Sequence, residues 1–293
     1  MRVVSMLPSA TEIVYALGVD DQLVGVTFEC NEPPHARAEK TIIVGGRDTS
    51  AMTPADIDAY VRGQLAAGGD LYTLDAGALA SLSPDVILTQ DLCRVCALPS
   101  GQVAEALDYL GCRADVVSLD PHTLADVLSS ILAVGRRLDV EDRAAALLAS
   151  LRTRLSAVAT RVADAIRPAV AVVEWIDPPF SAGHWVPDLV IAAGGRPVAP
   201  HPGADSRATT WADIVAAQPD IVVVSPCGYG LDGAAAQASE VAAQLPGVPI
   251  WAIDADALIV RPGPRVVDGV EALAGVFHPD RFELRTDHVR RVA

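Results

Sequence analysis

The chain has 293 residues, 51% of them hydrophobic, enough for two units that each bury a core. Its formal charge of −15 repels phosphate backbones and argues against nucleic acid as a partner. With 22 glycines and 21 prolines, the composition falls short of a disordered or low-complexity chain.

The opening "MRVVSMLPSATEIVYALG" begins a strand at Arg2. That leaves no room for a charged n-region, an apolar h-region and a cleavage site, so the expected location is the cytoplasm. The longest apolar runs are strand-length, well short of the ~20 residues a spanning helix needs, which argues against membrane insertion. Five cysteines are an odd number for a disulfide framework in a reducing compartment, and free thiols or metal ligands gain weight.

Short β-branched runs alternate with amphipathic stretches, the pattern of parallel α/β construction. In the first part the predicted strands are "VVSM", "LVGV", "TIIV", "DVILT" and "ADVVSL", with helices near 10–17, 54–67 and 99–110. Residues 122–166 hold no proline, and their apolar positions recur every three or four residues. They read as one long helix or two helices joined near Gly135–Asp139. Alternation resumes after Pro168 with "AVAVVEW", "DIVVVSP" and "PIWAID".

The expected division is an α/β lobe over 1–120, a helical connector over 121–167, a second α/β lobe over 168–280 and a tail over 281–293. "LASLSPDVILTQDLC" and "IVAAQPDIVVVSPCG" share one order: short helix, Pro-Asp, buried strand, cysteine-bearing loop. This weak internal repeat supports two Rossmann-like parallel-sheet lobes. Ligands of such sheets gather outside the strands' carboxyl ends, which here are expected to line a shared cleft.

The strand exits carry a coherent set of side chains. Phe28, Glu29 and Cys30 follow the second strand; Gln90, Asp91, Cys93 and Cys96 follow "DVILT". Trp175, Phe180, His184 and Trp185 follow "AVAVVE", and Cys227 and Tyr229 follow "DIVVVSP". Aromatic residues are only 4% of the chain, yet five of them fall in these loops. Apolar faces with sparse polar anchors suit a large flat ligand, although single aromatics also plug the tops of sheets.

Cys93 and Cys96 admit three readings: thiols lining a cleft, a metal site, or a redox pair at a helix start with Asp91 as cap. Cys30 and Cys227 would complete four thiolates for zinc or an iron–sulfur cluster. Cys112 stands at a strand entrance and reads as structural. His184, just before Pro187, is the leading candidate for coordination at a helix entrance, the alternative being a local hydrogen bond. Arg261 and Arg265 flank a Pro-Gly-Pro turn, where a guanidinium holds a ligand carboxylate or amide oxygen, or pairs with a nearby acid. No phosphate-binding glycine motif and no nucleophile elbow is present, and nothing commits the chain to catalysis.

"VVSMLPSATEIVYALGVDDQLVGVT", "LASLSPDVILTQ", the helical connector and the closing "RPGPRVVDGVEALAGVFHP" resemble the class III (helical-backbone, TroA-like) substrate-binding proteins of ABC transporters. Within that family the cobalamin-binding branch is the most similar. The resemblance covers about residues 1–280 and implies two α/β lobes bridged by a rigid helix, with cobalamin between them as ligand. It implies ligand-facing loops around Ser9, Phe28–Cys30, Gln90–Cys93, Trp175–Trp185 and Tyr229. Two departures stand out: the absence of an export signal, and cysteine-bearing loops that exported binders do not need. They suggest a cytoplasmic corrinoid receptor or carrier and put transporter docking in doubt. The alternative is a metal or iron–sulfur redox protein on the same scaffold.

Overall fold

The computed structural model describes residues 1–49, 51–92, 100–110, 113–198 and 201–293. The chain folds as two α/β units, as the alternation predicts, in the class III binding-protein fold that the resemblance implies. Unit 1 comprises Met1–Asp120 with Leu128–Leu148, and unit 2 comprises Pro121–Val127 with Ala149–Ala293. Among the described residues no helix is long and apolar enough to cross a membrane.

Unit 1 runs β1 (Val3–Ser5), α1 (Pro8–Ala16), β2 (Leu23–Thr27), α2 (Ala36–Glu39), β3 (Thr41–Gly46) and α3 (Pro54–Ala66). It continues with β4 (Tyr72–Leu74), α4 (Ala76–Leu82), β5 (Val86–Thr89), α5 (Ser100–Leu110) and β6 (Asp115–Ser118). The sheet order is β4-β3-β2-β1-β5-β6, parallel except for the β3–β4 pair. β1 and β5 are buried along their whole length. Central strands of a parallel sheet are covered on both faces, so they read as unbroken apolar runs. The core joins Val4 of β1 and Met6 just after it to Ile43, Leu79, Ile87 and Val103.

Two helices follow, α6 (Leu124–Arg137) and α7 (Glu141–Arg161). The break falls at 138–140, where Asp139 turns to a φ of 57°. Gly135 permits the tight return, because a Cβ there would lie 2.3 Å from the Ala144 Cβ. The segment set apart in the sequence as a connector is divided: Leu128–Leu148 packs with unit 1, and the rest of α7 with unit 2.

Unit 2 runs β7 (Ala169–Ile176), β8 (Pro179–Ser181), α8 (Val186–Ala192), β9 (Arg196–Pro197), β10 (Arg207–Ala208) and α9 (Trp211–Ala216). It ends with β11 (Ile221–Val224), α10 (Leu231–Gln244), β12 (Ile250–Ile253), α11 (Ala255–Leu258), α12 (Val266–Phe277) and β13 (Val289–Arg291). The order is β10-β8-β7-β11-β12-β13, with β9 also on β7. β7, β11 and β12 pair in parallel at the centre, and β8, β10 and β13 are antiparallel additions. Residues 281–293, read from the sequence as a tail, supply β13 on the β12 edge.

The internal repeat extends to hydrogen bonds. α4 ends at Ser83 with φ 45°, and Gln218, just past α9, has φ 49°. Each left-handed residue is followed by Pro-Asp. Asp85 then accepts from the Arg2 amide at 2.7 Å, and Asp220 accepts from the Ala169 amide at 2.7 Å. In both units the aspartate ties off an amide at the entrance of the strand beside which its own strand runs, Arg2 just before β1 and Ala169 at the head of β7. The pattern seen in sequence is thus one device used twice: it ends a helix, reverses the chain and sets the register of the central parallel pair.

Candidate functional site

In unit 2, β7 delivers Trp175 and β8 returns Phe180 directly opposite it. Tyr229, beyond β11, brings its ring centroid to 6.1 Å from that of Trp175 at an interplanar angle of 53°. All three side chains are half-buried, so part of each ring faces solvent. The Trp175 indole N–H donates to the Asp177 carbonyl at 3.2 Å, which fixes the ring's orientation. Burial pushes the Tyr229 hydroxyl up from its ordinary pKa, so it remains a donor at neutral pH.

The loop before Tyr229 is braced from below. Asp256 accepts from the Gly228 amide at 3.1 Å and pairs with the Arg261 guanidinium at 3.2 Å. Burial raises the Asp256 carboxyl, while Arg261 opposes that shift. Arg261 therefore has an acidic partner on its own segment, the second of the two roles read for it.

His184 stands just before α8, whose second residue is Pro187. Its φ is 52°, a left-handed conformation that an L-residue adopts at some cost. The backbone over-determines it: the His184 amide donates to the Ala204 carbonyl at 2.6 Å and its carbonyl accepts from the Gly203 amide at 3.0 Å. Trp185 beside it is only 7% exposed, and its indole N–H donates to the Ile259 carbonyl at 2.8 Å. Trp185 is thus mostly an anchor for α8, whereas His184 keeps an exposed edge.

Two residues that the sequence reading passed over join His184. His122 precedes α6, and its ring centroid lies 6.0 Å from that of His184. Asp205 places Oδ1 at 3.5 Å from His184 Nε2. One donor atom from each of the three falls within 4.8 Å of the others, the cluster of this kind among the described residues. His122 is sixty-two positions from His184 and opens a segment that reads as helix, so no local spacing marks it. Burial holds the His184 imidazole below its ordinary pKa, and His122 adds to that against the pull of Asp205.

In unit 1 the sequence-named residues fall into three groups. Phe28 packs its ring 6.3 Å from that of Tyr72, whose hydroxyl donates to Glu29 at 3.4 Å. Ser9, Cys30 and Gln90 are buried. Asp91 is exposed at the head of α5, where its carboxylate accepts from the Ser100 amide and hydroxyl at 2.7 and 2.6 Å. Those bonds hold its pKa below the usual carboxylate range.

Asp91 therefore caps the described helix α5 at Ser100. Cys93, Cys96 and Cys112 lie outside the described residues. Cys30 is 0% exposed, and its sulfur accepts from the Thr11 hydroxyl at 3.1 Å and the Thr27 amide at 3.4 Å. Its thiol closes the turn after β2. Cys227 is exposed on unit 2. These placements give no support to a zinc or iron–sulfur centre built on Cys30, Cys93, Cys96 and Cys227. Among the described residues, the donor set brought together is imidazole and carboxylate.

A family model described as Periplasmic binding protein matches residues 3–255. The chain belongs to that family, and it is a solute-binding protein. Along 96% of its length it is 24% identical to an uncharacterized ABC transporter substrate-binding lipoprotein, YvrC, of Bacillus subtilis, covering 81% of that protein. It is 25% identical over 94% of its length to a cobalamin-binding protein of Halobacterium salinarum, covering 69% of it. Among solved structures, a periplasmic heme-binding protein from Pseudomonas aeruginosa superposes with a TM-score of 0.73 at 23% identity, over 100% of this chain and 98% of that one.

These relatives overturn the cytoplasmic assignment. It rested on the first residues of the sequence alone, whereas a lipoprotein and periplasmic binders point to a location outside the cytoplasm. The doubt cast on transporter docking loses its ground with it, because it followed from the same assignment.

Proposed function

We propose that this protein captures a corrinoid, cobalamin or a close relative of it, and delivers it to an ABC permease. The observation that carries the reading is the aromatic surface at the strand ends of unit 2. Trp175, Phe180 and Tyr229 form a half-buried apolar face, a shape that suits a wide flat ring better than a small polar solute. The cobalamin-binding relative supports the same choice of ligand.

Equilibrium dialysis of the purified chain against hydroxocobalamin, with hemin and a ferric hydroxamate in parallel, tests the reading. One equivalent of corrinoid bound, with weaker retention of the others, supports it. Preferential retention of hemin moves the ligand to the porphyrins, the cargo named for the Pseudomonas relative. Retention of none of the three removes the flat-ring reading. The visible spectrum of the corrinoid complex then reports whether a protein donor reaches cobalt.

A further inference from the structure

The geometry points to a binding site for a divalent transition-metal ion, built from His122, His184 and Asp205 and distinct from the aromatic face. It stands on unit 2 alone and does not depend on which solute the protein carries. Two imidazoles and one carboxylate form a donor set that suits zinc, nickel, cobalt or copper, and disfavours magnesium and calcium, which take oxygen ligands. Around a four-coordinate ion with bonds of about 2.0–2.1 Å, donors sit roughly 3.4 Å apart. His184 Nε2 and Asp205 Oδ1 are already at 3.5 Å, and all three donors lie within 4.8 Å. The Asp205 side chain is 83% exposed, so it has room to close the remaining gap by rotation.

What separates this cluster from a chance surface grouping is the backbone beneath it. Three chain segments are bonded together there. The His184 amide and carbonyl are held by Ala204 and Gly203, and the Gly183 amide donates to the Ser206 hydroxyl at 2.9 Å. A Cβ at Gly183 would meet the Ser206 nitrogen at 2.3 Å, so the loop bearing Asp205 approaches that closely only because residue 183 is glycine. The His122 segment is docked in turn, since the Leu124 amide donates to Asp188 of α8 at 2.9 Å. Thr123 and Asp126 cap each other across the first turn of α6, and the His122 amide joins them at 3.2 Å. His184 is held at a strained φ by these contacts, the expense a fold carries where a side chain must be aimed. Three protein donors leave at least one coordination position for water or a donor atom of another molecule.

The test uses the full chain without a histidine tag, stripped with a chelator and titrated with Co²⁺ under visible absorption, then with Zn²⁺ in competition. The expected result is one equivalent of Co²⁺ with weak d–d bands, displaced by Zn²⁺. His122→Ala and Asp205→Ala, both at exposed positions, should lower affinity by at least about tenfold, the least that losing even a supporting partner costs. His184→Asn, which tolerates positive φ, should do the same. Thermal midpoints of the metal-free variants establish that they fold.

Binding unchanged in folded His122→Ala and Asp205→Ala overturns the site, as does less than half an equivalent bound by the parent. A thiolate charge-transfer band places the metal on cysteine and overturns it equally. Corrinoid dialysis on the metal-free chain keeps the two ideas apart: a chain that retains corrinoid but takes up no Co²⁺ sinks only the metal site, and one that binds Co²⁺ but retains no corrinoid sinks only the solute reading.

Discussion

Gly183 and Ser206 meet so closely that no room remains for a Cβ between their backbones, and the Gly183 amide donates to the Ser206 side-chain hydroxyl. The obstructing atoms are main chain, the Ser206 nitrogen and the Ala204 oxygen, which cannot swing aside as a side chain can. Gly183→Ala should therefore cost about 1–3 kcal/mol of stability, as overpacking does. It should also move Asp205 away from His184. Urea denaturation measures the first effect, and the Co²⁺ titration measures the second.

Trp175→Ala removes the centre of the aromatic face, flanked by Phe180 and Tyr229. Truncating such an anchor costs about 2 kcal/mol of binding, roughly thirtyfold in Kd. Tyr229→Phe should have a smaller effect on a ring-stacking ligand, since the flat surface is kept. Dialysis with the corrinoid checks both. A thirtyfold loss for Tyr229→Phe with no loss for Trp175→Ala would mean that the hydroxyl, and not the ring, does the binding.

The duplicated Pro-Asp turn predicts paired behaviour. Asp85→Ala and Asp220→Ala each leave a strand amide without its carboxylate partner. Each should lose about 0.5–1.5 kcal/mol, the ordinary range for a hydrogen bond. Chemical denaturation of the two variants should give similar losses, because the two aspartates do the same task in different units.

Acid should weaken two helix starts. Asp91 is held below the usual carboxylate range by Ser100, and Asp126 by Thr123. A carboxylate whose folded pKa lies under its unfolded value of about 3.9 adds stability that is complete above that value. The contribution disappears as pH falls through the lower folded value. Between pH 5 and pH 2 the parent should therefore lose stability more steeply than Asp91→Asn or Asp126→Asn. Thermal melts across that interval measure the slopes. Both groups are exposed, so solvent screening keeps the difference modest.

Much of the fold was legible because its signals are local. β-branched runs marked the central strands, the Gly135–Asp139 stretch marked the helix break, and "SPDVILT" against "QPDIVVV" marked the repeat. The short strands added outside the central parallel ones were not legible. β4, β8, β9, β10 and β13 have two or three residues each and exist because a neighbouring strand offers an open edge. Loop position likewise separated poorly what faces solvent from what is buried. Phe28 and Tyr229 kept partial exposure, while Cys30 turned inward because Thr11 and Thr27 offer its sulfur two hydroxyls and an amide.

The sequence by itself determined the α/β alternation and the organisation into two units, because periodicity, capping and turn chemistry act over a few residues, and its resemblance to known binding proteins indicated the family. It also singled out His184 and the aromatic residues at the strand exits. Only the tertiary structure decided that His184 is joined by His122 and Asp205. Those residues come from just before α6 and from the loop before β10, separated by eighty-three positions; the first is held by the Leu124 amide on Asp188, the second by the glycine-permitted contact with Gly183. Such a contact has no period and no local composition, so no pattern along the chain announces it.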